Sequence, residues 1–263
     1  MSEFLSSISG IDGKRDILKI IKESTEKWNK DNISRTSAYF SFYRLHPEIM
    51  WSFLASMVSR NAGWNMCDLK GRLYSSVLSP SYSSALFMTY ERANYLIFQD
   101  VFPQLLLYHY SKEMDEDLFH FLEHLSVSTF IRSEWSGFLE NGEKERLMHA
   151  LIINEQNVIQ KTVIENPFFE KKVFRSALYF LHEHFHFSTV LFPTRKGRLY
   201  GTTVKDFRNV GSRIILGKRL ASILFSKYHN DIYDFACNCP HTGSRRDYTI
   251  FNAGLSPLWT PEL

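Results

Sequence analysis

Four stretches of this 263-residue chain gather side chains able to do chemistry. The first, SRNAGWNMCDLKG (59–71), places Arg60, Asn61, Trp64, Asn65 and Asp68 in one run. Arg and Asn supply directional hydrogen bonds, and Trp supplies a flat apolar wall with an N–H donor, so the run suits the lip of a pocket. The plain alternative is a helix stop, since Gly63 permits a left-handed turn and Asn61 and Asn65 suit caps. The second stretch is INEQNVI (153–159). At helical spacing Asn154 shares a stripe with Leu147, Leu151 and Val158, and Glu155 shares the next with Met148, Ile152 and Ile159. A buried amide or carboxylate costs free energy unless partnered. A buried Glu either takes a raised pKa or pairs with Arg or His. Glu155 is therefore a candidate acid or base, with Asn154 and Asn157 as ligand-binding neighbours; a structural network explains the same pattern.

The third stretch, LHEHFHF (181–187), fits H-E-x-x-H. On a helix His182 and His186 lie one turn apart and could face a zinc ion, with Glu183 as general base. A third ligand would have to come from Asp206, Cys237, Cys239 or His241, none at a diagnostic spacing. A flank of partly exposed histidines accounts for the motif without metal, and no cofactor is expected. The fourth, CNCPHTGSRRDY (237–248), contains Cys-x-Cys-x-His without a second ligand pair. Its HTGSR turn could grip an anion through backbone N–H groups and Arg245, with Ser244, Asp247 and His241 beside it. A strap bonded to helix ends explains it equally well. The run lacks the length and the Lys-Ser/Thr ending of a phosphate-binding P-loop.

These groups must be positioned by helices. Hydrophobic residues make up 44% and aromatics 15% of the chain, enough for a large core, while 12 Gly and 8 Pro are few for a turn-rich β fold. Apolar spacing of three and four residues predicts helices over 14–29, 47–59, 83–100, 129–140, 143–165, 168–189 and 210–227, with Pro103 restarting the chain. RLYGTTV (198–204) is a weak hairpin signal. The expected fold is all-α, a single domain over 1–263 packed as an irregular multi-helix bundle, with an irregular strap from about 238 to 263.

Charge is mildly basic, +3 with three cysteines in all. Residues 113–145 hold nine acids against two bases, and 192–222 hold eight bases against Asp206 alone. Two solvated faces or a polyanion-receiving patch would both give this pattern. Tyr200 and Phe207 are too few for a base-stacking platform, so nucleic acid is not expected as a partner. No stretch approaches the ~20 apolar residues of a membrane span, the first residues lack a signal-peptide pattern, and the cysteine usage suits a reducing compartment. The expected location is the cytoplasm.

PEIMWSFLASMVSRNAGWNMCDLKG (47–71), NEQN (154–157), LFP (191–193), GKRL (217–220) and HTGSRRDY (241–248) together resemble the YppC-like family, bacterial proteins of Firmicutes classed as a domain of unknown function. The resemblance covers about Arg35 to Phe251 and is most specific at its two ends. It implies one cytoplasmic bacterial domain and carries no catalytic role; the H-E-x-x-H stretch is not part of its pattern. The functional expectation is a polar pocket holding a small anionic ligand, with Arg60 and Arg245 on the anion, Trp64 as a wall, and Glu155 or His241 able to move a proton. Whether that pocket is enzymatic stays open. A protein–protein interaction module and a zinc hydrolase through His182 and His186 are the alternatives.

Overall fold

Local capping chemistry sets several helix starts. Asp31 caps α2 (Asn32–Leu45), its Oδ1 accepting from Ser34 N at 2.7 Å. Ser79 caps α5 (Pro80–Met114), which carries Pro80 in its first turn. Ser128 caps α6 (Thr129–Asn141), which Gly142 closes at φ +68°. The computed structural model describes residues 14–125, 127–176, 179, 189–252 and 260–263. Around α2, α5 and α6 run α1 (Lys14–Trp28), α3 (Met50–Lys70), α4 (Arg72–Val77) and α7 (Lys144–Ile159), the last continuing as a π-helical turn over Gln160–Ile164. Then come α8 (Pro167–Phe169), a second π turn over Glu170–Phe174, and an antiparallel hairpin of β1 (Thr189–Pro193) and β2 (Leu199–Thr203), with Leu191 opposite Gly201. α9 (Val210–Leu224), α10 (His229–Asn238) and the short α11 (Arg246–Thr249) complete the order. The molecule is predominantly helical, with this two-stranded sheet as its β structure among the described residues.

α3 is the central element. It is buried on almost every side and packs against α2, α5, α7, α9 and β1, as a helix that is largely apolar all round must. Trp51, Phe53 and Trp64 on α3, Phe98 and Phe102 on α5, and Trp135 on α6 fill the main core. A second cluster joins the start of α5 (Ala85, Leu86) to the π-helical segments (Val163, Ile164, Val173, Phe174). No helix among the described residues is long and apolar enough to cross a membrane.

The structure departs from the sequence expectation in three places. SRNAGWNM does not end a helix: α3 runs through it to Lys70. α5 also continues through Pro103, which is buried between core residues Phe102 and Gln104. An internal proline costs a helix roughly 3 kcal/mol, and here core packing on both sides of the break offsets it. TVLFP forms a strand where the helical periodicity of 168–189 leads into it.

Candidate functional site

Helix geometry sorts the α3 side chains into two sets. Positions four apart share a face, so Arg60, Trp64 and Asp68 point one way, toward the strap. Val58, Asn61, Ala62 and Asn65 turn toward a cavity.

On the first face Asp247 is the hub. Its Oδ2 accepts from Trp64 Nε1 at 2.9 Å and its Oδ1 from Thr242 Oγ1 at 2.6 Å, and Arg60 lies 3.6 Å away. Burial alone would raise the Asp247 carboxyl; the contact with the His241 ring, the hydrogen bonds from Thr242 and Trp64 and the charge of Arg60 more than offset this and hold it below its usual range. Arg60 donates to the Cys239 and Pro240 carbonyls at 2.7 and 2.8 Å. Arg245 donates to Asp68 at 2.6 Å, Asn65 at 3.0 Å and the Tyr248 hydroxyl at 2.7 Å. Ser244 Oγ donates to the Thr260 carbonyl, and its own position is fully buried. His241 Nε2 donates to Asn32 Oδ1 at 2.8 Å, because the Asn32 amide nitrogen is committed to Ser59. Burial pushes the His241 pKa down.

Gly63 explains why the strap fits. A Cβ there would lie 2.6 Å from His241 Nε2 and closer still to Asn32 Oδ1. The glycine is a seat for the imidazole, not a turn. The first and fourth stretches therefore meet as an internally paired clasp.

The second face borders a cavity of about 200 Å³. Its walls are mostly apolar: Leu54, Val58 and Ala62 from α3, Leu86, Ala93 and Ile97 from α5, Leu216 and Leu220 from α9. Asn61 and Asn65 stand on this wall, but Asn61 is fixed to the hairpin: it donates to the Leu191 carbonyl at 2.6 Å and accepts from Leu191 N at 2.8 Å. Glu155 on α7 faces the same cavity. Trp51 Nε1 donates to its Oε2 and Gln156 Nε2 to its Oε1, both at 3.0 Å. Burial pushes the carboxyl up to about 7, against the lowering effect of those two hydrogen bonds.

Not every predicted residue joins the cavity. Asn154 points away from it, donating to Asp100 Oδ2 at 2.6 Å in a network that continues through Gln104 to Trp135. Asn157 is exposed. Arg60, Trp64, Asp68, His241, Ser244, Arg245 and Asp247 belong to the clasp and do not line the cavity. His182 and His186 lie outside the described residues. Among the described residues no group of three or more His, Cys, Asp or Glu is arranged to hold a metal. Of the basic stretch, Arg195 and Lys196 pair with Asp234 and Asp231 on α10, and Arg208 lies 3.8 Å from Glu170. Arg213 is buried and donates to Gln156, Gln160 and the Phe207 and Arg208 carbonyls.

Sequence reasoning missed Tyr39, Trp51 and Arg213 as cavity or site residues. Tyr39 lines the cavity, packs edge-on against Trp51 with ring centroids 5.4 Å apart, and is almost fully buried, yet its hydroxyl has no hydrogen-bond partner among the described residues. An aromatic at helical spacing reads as core, and nothing in its neighbours on the chain distinguishes it.

Comparison with known proteins adds a lineage. The family described as "Protein of unknown function (DUF2515)" matches residues 27–263. The chain is 51% identical to "Uncharacterized protein YppC" of Bacillus subtilis (strain 168) over 89% of its own length and 73% of that protein. No solved structure matches.

Proposed function

The chain belongs to the DUF2515 family, and we propose that it is a cytoplasmic protein that binds a small, largely apolar molecule in the cavity between α3, α5, α7 and α9. The observation that carries this reading is Glu155: a carboxyl raised to about 7 stands on the wall of a mostly apolar cavity. Ligand sites combine apolar walls with a few directed polar groups and perturbed titrating residues. The cavity, at about 200 Å³, exceeds the ~150 Å³ that accommodates benzene in a dry protein interior. An anionic ligand is less well served than the sequence suggested. Arg60 and Arg245 direct their donors to Cys239, Pro240, Asn65, Asp68 and Tyr248. A partner macromolecule is also less well served, since Arg195, Lys196, Arg208 and Arg213 are engaged within the chain.

Ligand-observed NMR with benzene tests the reading. The wild-type protein should bind it, and Ala62→Phe, which fills the cavity from α3, should abolish binding while circular dichroism stays native. Ala93→Leu narrows the opposite wall and serves if Ala62→Phe does not fold. No binding to the wild-type protein, or binding unchanged in a folded variant, refutes the reading.

A further inference from the structure

We propose that the ligand is a primary aliphatic amine, its alkyl chain in the apolar cavity and its ammonium group held between the Glu155 carboxylate and the Tyr39 hydroxyl oxygen. This rests on the reading of the cavity as a ligand site and adds the chemistry of the head group.

Three observations point to a cation. First, Glu155 has no cationic partner among the described residues. Among the described residues Arg213 is the cation on the cavity wall, and its guanidinium is committed to the Gln156 and Gln160 side chains and three main-chain carbonyls. A carboxylate offers about four acceptor sites, and Trp51 and Gln156 occupy one on each oxygen. Acceptor capacity is left over. Second, Tyr39 Oη is buried on the same wall without a partner. Buried polar groups are nearly always hydrogen-bonded, so an orphan on a residue that lines a cavity marks a missing donor or acceptor. Trp51 ties the two groups into one cluster, donating to Glu155 and packing its ring edge-on to Tyr39. Third, the α3 and α5 walls carry Val58, Ala62, Leu86, Ala93 and Ile97, and Ser59, Asn61, Asn65, Thr89 and Asn94 beside them hydrogen-bond within the chain, which leaves a lining that suits a short alkyl chain. The charge argument selects an ammonium over a hydroxyl. Without ligand, burial keeps about half of the Glu155 carboxyl population protonated near pH 7; a desolvated ammonium beside it favours the ionised form through a charge-assisted hydrogen bond.

Isothermal titration of the full chain at pH 8 with n-hexylamine, n-hexanol and hexanoate separates the possibilities. The wild-type protein should bind n-hexylamine at least about tenfold more tightly than n-hexanol, as a desolvated charge pair warrants, with hexanoate weakest. Glu155→Gln, close to isosteric, should erase the amine's advantage and leave n-hexanol binding nearly unchanged. Tyr39→Phe should weaken the amine a few-fold. Titration of the amine near pH 7 in buffers of different ionisation enthalpy should report proton release, because amine binding drives Glu155 to ionise. Equal affinity for amine and alcohol, a preference for hexanoate, or a tenfold amine preference that survives Glu155→Gln refutes the amine while leaving the cavity as a ligand site. Failure of all three compounds to bind refutes both.

Discussion

Replacing Glu155 by Gln should change how stability depends on pH, and the size of the change follows from the site. The carboxyl sits at about 7 in the folded chain against an ordinary value of about 4.5. At about 1.4 kcal/mol per pKa unit, its ionisation costs the folded state on the order of 3 kcal/mol. The sign follows from linkage. The folded state keeps a proton that the unfolded chain releases, so this contribution is fully present below about pH 4.5. It is lost as pH rises through 7. The wild-type protein should therefore lose about 2–3 kcal/mol more than Glu155→Gln between pH 5 and pH 8. Gln cannot accept from both Trp51 and Gln156 in their present orientation, which offsets the variant by about 1 kcal/mol at every pH. The slope of the difference is the test, and the offset drops out of it. Other titrating groups near the cavity, Tyr39 on α2, Asp100 on α5 and Arg213 on α9, are shared by both proteins and cancel in the difference. Urea denaturation followed by tryptophan fluorescence at pH 5, 6, 7 and 8 measures it. A flat difference, or one in which the wild-type protein gains on the variant as pH rises, refutes the account of a buried, protonated carboxyl.

Acidification tests a second buried pair. His46 Nε2 lies 2.9 Å from His109 Nδ1, and burial pushes His46 down to about 4. The unfolded chain takes up the proton first, so stability is present above about 6.5 and lost as pH falls toward 4. The wild-type protein should lose roughly 2–3 kcal/mol more than His46→Gln between pH 7 and pH 4 in denaturant titrations, and equal losses would contradict this. Gly63→Ala and Gly137→Ala should move stability in opposite directions. Alanine is favoured by about 1 kcal/mol inside a helix, and nothing stands within 4 Å of a Cβ at Gly137 on α6, whereas at Gly63 it meets His241. Thermal melts should show Gly137→Ala stabilised and Gly63→Ala destabilised by about 1–3 kcal/mol, and a stabilised Gly63→Ala would remove the imidazole seat from the argument.

Helical periodicity is a local property, and it carried most of the architecture. Ser79, Ser128 and Gly142 cap helices as their residue types require. The errors fall where a distant segment overrides a local signal. Gly63 and the flanking asparagines read as a stop because their neighbours on the chain give no reason for a glycine in mid-helix. That reason is an imidazole from position 241. Pro103 read as a restart because its cost is visible in sequence and its compensating core contacts are not. The polar stretches were legible as unusual, but their partners were not. Arg60 and Arg245 looked like free cations until their acceptors, two of them main-chain carbonyls, were in view. Tyr39 carries no sequence signal: its orphan hydroxyl is a fact of packing alone.

The clasp also constrains the order in which the chain can be made. Arg60, Trp64 and Asp68 emerge from the ribosome some 180 residues before Asp247 and Arg245, their partners. At roughly 5–20 residues per second, α3 waits about 10–35 s with a guanidinium, an indole N–H and a carboxylate that its helical neighbours cannot satisfy. α3 is also the hub on which α2, α5 and α7 pack, so the nascent bundle carries an incompletely closed face until synthesis is nearly over. This is the surface that a nascent-chain chaperone would meet.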